Sequence, residues 1–126
     1  MHRSRVYALL IDAPRDEADQ STSFWSAALG VPARTYEPEP QFTDLHGALP
    51  GLVLAVQAVD DTPRFHLDIE TDDVEAETAR LVGLGATEMT RWQECRILRA
   101  PGGHLLCVLP VESAPEVFDA EAKTWS

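Results

Sequence analysis

Residues 64–85 read RFHLDIETDDVEAETARLVGLG and are the most informative segment of the chain. Apolar and polar side chains alternate from residue 64 to 71, which is typical of a β-strand with two different faces. Asp72 is followed three residues later by Glu75, and this capping-box spacing predicts that a helix begins here. The segment therefore predicts a strand followed directly by a helix, which ends near Gly85.

The first half of the chain predicts the same order of elements. An apolar run at residues 6–11 predicts a strand, residues 15–29 have helical spacing, and Gly30 stands where a left-handed C-cap is favoured. Further strands are predicted after each helix, at 42–46 and 52–59 and again at 86–90, 95–99 and 104–109. This order indicates an internal repeat of a strand–helix–strands unit, although a coincidental α+β order remains the alternative.

Length and charge limit the classes of function. The 126 residues, 44% hydrophobic and 25% charged, predict one globular domain. The chain has 21 acidic against 10 basic residues, and this net charge of −11 excludes nucleic acid and anionic membranes as expected partners. It favours cationic ligands instead.

Several features bear on the expected location and on the chain ends. The first apolar run stops at Asp12, too early for a signal peptide, and the two cysteines are expected to be free thiols. We therefore expect a cytoplasmic protein. The acidic tail, residues 111–126, is either a docked helix or a frayed end.

Four motifs together carry a family resemblance. They are Phe24-Trp25-x-x-x-Leu29-Gly30, Phe65-His66-Leu67-Asp68-Ile69, Leu84-Gly85-Ala86, and Pro101-x-Gly103 with Cys107-Val108. In order and spacing the chain resembles the glyoxalase-like branch of the vicinal oxygen chelate superfamily, which includes glyoxalase I, extradiol dioxygenases and bleomycin-resistance proteins. The resemblance implies an α+β fold in which two βαβββ modules, about residues 5–59 and 64–110, form a curved mixed sheet around a cleft. It also implies a single domain over residues 1–110, followed by the tail, and commonly a homodimer.

Catalytic members of this superfamily bind a divalent metal through His and Glu side chains on four strands. Position by position, His66 keeps a ligand, Cys107 stands in the place of a Glu, and Gln57 lies near a third ligand position. The first strand, residues 6–11, offers no His, Glu or Asp. The resemblance therefore implies an incomplete metal site and no metal cofactor.

The alternation in residues 64–71 selects the candidate catalytic residues. In the implied fold a helix covers the apolar face with Phe65 and Leu67, so His66 and Asp68 point into the cleft, roughly 6–7 Å apart along the strand. This pair suits general acid–base catalysis or the anchoring of a ligand. The alternative is a buried polar pair that only fixes the strand.

Three further residues are candidates for ligand binding. Gln57 offers both a donor and an acceptor, Cys107 a thiol, and Trp92 an aromatic wall. Each has a plain alternative: Gln57 on a solvated face, Cys107 as a small buried hydrophobe, and Trp92 as packing.

These observations predict a glyoxalase-like, small-molecule-binding protein with an incomplete metal site, for which a cationic or aromatic ligand is expected in the cleft. One alternative is a metal-independent lyase or isomerase that uses His66 and Asp68 for proton transfer. Another is a divalent-metal-dependent enzyme of the glyoxalase or dioxygenase type, and a third is an accessory module. The expected partners are a small-molecule ligand and a second copy in a homodimer.

Overall fold

The computed structural model describes all 126 residues and contains nine strands and three α-helices. The strands are β1 (His2–Pro14), β2 (Ala33–Thr35), β3 (Phe42–Leu45), β4 (Val53–Val59), β5 (Arg64–Thr71), β6 (Thr87–Trp92), β7 (Cys95–Arg99), β8 (Leu105–Pro110) and β9 (Lys123–Trp125). The helices are α1 (Ala18–Leu29), preceded by a 3-10 turn at Arg15–Glu17, α2 (Val74–Gly83) and α3 (Pro115–Glu121). The α+β class and the predicted order of elements are confirmed.

The chain divides into two compact units. The first unit comprises residues 8–66, and the second comprises residues 1–7 with 67–126. Each unit contains a strand, a helix and further strands in the order that the repeat predicted.

In the first unit the strand order is β2-β3-β4-β1. β1 and β4 are parallel, and the other neighbours are antiparallel. Trp25 of α1 packs against a buried apolar cluster, and Gly30 ends the helix at a φ of +69° while its N–H donates to Ser26. The cluster consists of Ile11, Ala13, Leu45, Leu54 and Val56.

In the second unit the strand order is β5-β8-β7-β6, with β5 and β8 parallel and the others antiparallel. α2 packs against β8, β7 and β6. β9 pairs antiparallel with the first residues of β1. Cys95 and Cys107 are both free thiols, as expected.

The start of α2 differs from the sequence-based prediction by one residue. The N-cap is Asp73, whose carboxylate accepts the N–H of Ala76. Asp72 instead accepts hydrogen bonds from the backbone N–H and the guanidinium of Arg3, 69 residues away. Both aspartates suit a helix start, and the contact with Arg3 decides which of them is used.

The apolar face of β5 is less covered than predicted. Phe65 is 56% exposed and Leu67 is also exposed, whereas His66 and Asp68 are partly buried. In the first unit α1 packs against β2, β3 and β4, and in the second α2 packs against β6, β7 and β8. Phe65 and Leu67 are therefore open to solvent in this structure.

The C-terminal tail is docked rather than frayed. Phe118 of α3 is buried, and the indole N–H of Trp125 donates to the Ser4 hydroxyl over 2.8 Å. The guanidinium of Arg80 stacks 3.8 Å from the centre of the Trp125 ring.

None of the three helices has the length and apolar character needed to cross a membrane.

Candidate functional site

A hydrogen-bonded pair of acidic and imidazole side chains lies in the first unit. Nδ1 of His66 is 2.9 Å from Oδ2 of Asp12, and only 9% and 5% of these side chains are exposed. An ionised carboxylate can only accept hydrogen bonds, so Nδ1 carries the proton in this contact. Asp12 thus favours the ring tautomer in which Nε2 is the basic nitrogen.

The apolar pattern of β1 explains how Asp12 comes to lie here. Its neighbours Ile11 and Ala13 belong to the buried cluster beneath α1. Because successive side chains of a strand alternate between faces, Asp12 lies on the opposite face of β1. Gln57 of β4 is the register partner of Asp12, and partners in a parallel pair lie on the same face. The unit therefore presents Asp12, Gln57 and His66 together.

Asp12 also faces an arginine. Nε of Arg64 is 3.7 Å from the same Oδ2, and the other end of this guanidinium pairs with Asp61. The second oxygen of Asp12, Oδ1, is buried and receives no hydrogen bond from the protein. A buried acceptor without a donor is unfavourable, so a donor on a bound ligand would be stabilised at this atom.

The predicted site residues are distributed over both units. His66 and Gln57 lie in the first unit, while Asp68 and Cys107 are register partners in β5 and β8 of the second. Asp68 follows His66 by two residues on β5. Trp92 ends β6, the last strand in the order of its unit, and about half of its surface is exposed.

Asp12 was not predicted as a site residue, because in the sequence it only ends an apolar run. The run continues as a strand to Pro14, which makes Asp12 a carboxylate inside a buried strand. A lone acidic residue with apolar neighbours on both sides is the signal that was available, because a buried carboxylate needs a partner. The identity of that partner, 54 residues away, was not readable from spacing.

The donor set differs from the His and Glu ligands that catalytic relatives use. The strand positions assigned by the resemblance hold one imidazole, one thiol and one amide. The carboxylate that β1 adds, Asp12, is bonded to Nδ1 of His66 through Oδ2. We derive no chemical step through a metal at these residues.

A sequence model of the glyoxalase-like domain matches residues 8–109, which is most of the chain. The chain belongs to the glyoxalase-like domain family. The glyoxalase-like resemblance carried by the four motifs is therefore confirmed. No curated protein matches the sequence significantly.

Solved structures share the fold of this glyoxalase-like chain at low identity. A hypothetical protein from Bacillus halodurans C-125 has a TM-score of 0.61 at 8% identity, covering 88% of this chain and 96% of that one. Methylmalonyl-CoA epimerase from Mycobacterium tuberculosis has a TM-score of 0.51 at 16% identity, with coverages of 85% and 88%. A methylmalonyl-CoA epimerase from Streptomyces coelicolor, in complex with 2-nitronate-propionyl-CoA, gives 0.52 at 16% identity, with coverages of 86% and 98%.

Proposed function

We propose that this glyoxalase-like chain binds a small molecule at the face that carries Asp12, Gln57 and His66. The observation that carries the proposal is the 2.9 Å bond between two nearly buried side chains, one of which keeps an acceptor oxygen without a protein donor. The amide of Gln57 offers this face a further donor and acceptor. The net charge of −11 favours a cationic ligand over an anionic one, and such a cation can also carry an aromatic ring.

A second candidate function is metal-independent proton transfer by a lyase or isomerase. It is favoured by the orientation of His66, because a carboxylate that holds Nδ1–H makes Nε2 the basic nitrogen and stabilises the imidazolium that forms. Asp68, two residues further along the strand, is the proposed partner in this transfer. The fold is shared with methylmalonyl-CoA epimerases, one of them solved with methylmalonyl-CoA, so acyl-CoA thioesters belong among the compounds tested.

A thermal-shift screen tests the binding face. Organic cations, aromatic acids and acyl-CoA thioesters are screened against the wild type, and a ligand that raises the Tm is then tested on His66→Ala and Asp12→Asn. The matched controls are His46→Ala and Asp44→Asn, which alter a His–Asp pair that is more exposed than Asp12 and His66. We expect the shift to be lost in the first two variants and kept in the controls. An unchanged shift in both site variants would show that the ligand binds elsewhere and would favour an accessory module.

Exchange of ligand protons with D₂O separates binding from catalysis. If the protein only binds, NMR shows no deuterium incorporation into the ligand above the protein-free rate. If it catalyses proton transfer, the wild type incorporates deuterium into the ligand faster than the protein-free solution does. His66→Gln should then reduce this rate by at least ~100-fold. Loss of the exchange while the thermal shift remains would assign His66 to catalysis rather than to binding alone.

The remaining expectations concern assembly and location. We propose that the protein is a cytoplasmic homodimer, as the family resemblance implies, with Cys107 and Trp92 contributing to ligand contacts. Light scattering coupled to size-exclusion chromatography tests the homodimer directly. A monomeric mass at micromolar concentration would contradict it.

A further inference from the structure

A groove of about 430 Å³ runs along α1 in the first unit. It is bordered by the end of β1, one side of α1 and the start of β5. A volume of this size lies within the range of small-molecule sites, roughly 300–1,000 Å³. The groove is therefore large enough for a compact organic ligand.

Aromatic side chains line this groove. Phe24 and Trp25 of α1 meet edge to face, with ring centres 5.2 Å apart, and Phe65 lines the groove from β5. Phe24 is 62% exposed and Phe65 is 56% exposed. Large aromatic rings exposed together in one groove indicate a binding surface, and their faces attract cations.

The charges around the groove are mostly negative. Acidic side chains outnumber arginines six to two in residues 12–19 and 60–64. The two arginines are already engaged, because Arg15 pairs with Asp60 at 3.0 Å and Arg64 pairs with Asp61. Glu17 lines the groove directly. The local field therefore attracts a cation.

We propose that the groove along α1 binds a small organic cation, held by the rings of Phe24 and Phe65 and by the charge of Glu17. This inference goes beyond the face that carries His66. Phe65 and His66 are consecutive in β5, so their side chains lie on opposite faces of the strand. Asp12 and Arg64 line the groove and also contact each other at the His66 site, so the test leaves both unchanged.

NMR titration with benzyltrimethylammonium tests the proposal, with neutral benzyl alcohol as the reference probe. At low ionic strength we expect saturable shifts confined to residues of the groove, and weaker binding of benzyl alcohol. Phe65→Ala and Glu17→Gln should each raise the Kd about two- to fivefold, which is typical of partly exposed cation–aromatic and charge contacts. For the wild type, raising the salt concentration from about 0.02 M to about 0.2 M should also raise the Kd for the cation.

Matched controls separate the groove from general surface effects and from the His66 site. Tyr36→Ala and Glu37→Gln change an exposed aromatic and an exposed acidic residue outside the groove, and they should leave the Kd unchanged. His66→Ala should also leave it unchanged, so the groove and the function proposed above can fail independently.

Three results would overturn the proposal. The first is the absence of saturable shifts, and the second is equal affinity for benzyl alcohol and the cation. The third is that the same signals move when the protein alone is concentrated, because this would assign the groove to a second copy.

Discussion

At the scale of single residues, the pair Asp12 and His66 is the feature that most constrains chemistry. A histidine can carry its proton on either ring nitrogen, and the neighbour at one nitrogen sets the preference. Here the neighbour is a carboxylate inside a buried strand, held 2.9 Å from Nδ1. Burial keeps competing water away from this hydrogen bond, so the preference should be strong.

Replacing Asp12 by asparagine should change the tautomer of His66. A side-chain amide can donate as well as accept, so Asp12→Asn removes the requirement that Nδ1 carry the proton. We expect the ¹⁵N shifts of the His66 ring to move toward a mixture of tautomers near pH 8. In Asp44→Asn, the same change beside the exposed His46 should have little effect, since that pair is 3.4 Å apart and open to solvent. Unaltered His66 nitrogens in Asp12→Asn would contradict this role for Asp12.

At the scale of secondary-structure elements, the sequence predicted what depends on local pattern. The strand Arg64–Thr71 and the C-cap at Gly30 are confirmed, because alternation and a left-handed glycine are local signals. Prolines stand at positions 32, 38 and 40 around β2, and β2 is the outermost strand of its unit, which is where proline is tolerated in a sheet. The predicted N-cap of α2 was wrong by one residue, because Asp72 binds Arg3, which lies 69 residues earlier in the chain.

The candidate site was harder to predict than the elements. His66 was selected from its own strand, but its partner Asp12 belongs to another strand 54 residues earlier. Spacing within one strand suggested Asp68 as the partner and could not reveal the hydrogen bond between the imidazole and Asp12. A contact between strands that lie 54 residues apart in the chain cannot be read from a single sequence.

Two glycines of the helices provide a matched test of backbone conformation. Gly30 has a φ of +69° and Gly83 has ordinary helical geometry, and an added Cβ would meet nothing within 4 Å at either position. An added methyl group therefore causes no clash at either glycine, and the two positions differ only in backbone conformation. Gly30→Ala should lower the free energy of unfolding by about 1 kcal/mol, since a left-handed conformation strains alanine. Gly83→Ala should be neutral or stabilising by up to ~1 kcal/mol. Urea denaturation measures both, and equal effects would contradict the argument.

At the scale of the whole molecule, buried charges secure both ends of the chain to the second unit. Glu70 is fully buried and accepts the backbone N–H groups of Glu112 and Ser113, and Arg5 lies 3.6 Å from it. Glu77 is also fully buried and bonds to His2 near one end and to Arg80, which stacks on Trp125 near the other. A protein with a net charge of −11 thus depends on a few buried carboxylates that are paired with basic groups and backbone donors.

Glu77 predicts how the stability of the protein depends on pH. Burial raises the pKa of Glu77, but hydrogen bonds from Arg80 and then His2 outweigh it, so the pKa lies below its ordinary value of 4.5. A carboxyl group with a lowered pKa contributes stability above the pKa of the unfolded chain, and this contribution is lost as the pH falls through the folded value. Glu77→Gln should therefore lower the free energy of unfolding by about 3 kcal/mol at pH 7, and by clearly less near pH 3. Asp119→Asn, which removes an ion pair to Arg3 from a carboxylate that is 63% exposed, should change stability by less than ~1 kcal/mol at either pH. Urea denaturation of the three proteins at both pH values provides the comparison. A difference between wild type and Glu77→Gln that stays constant with pH would mean that Glu77 contributes by packing rather than by charge.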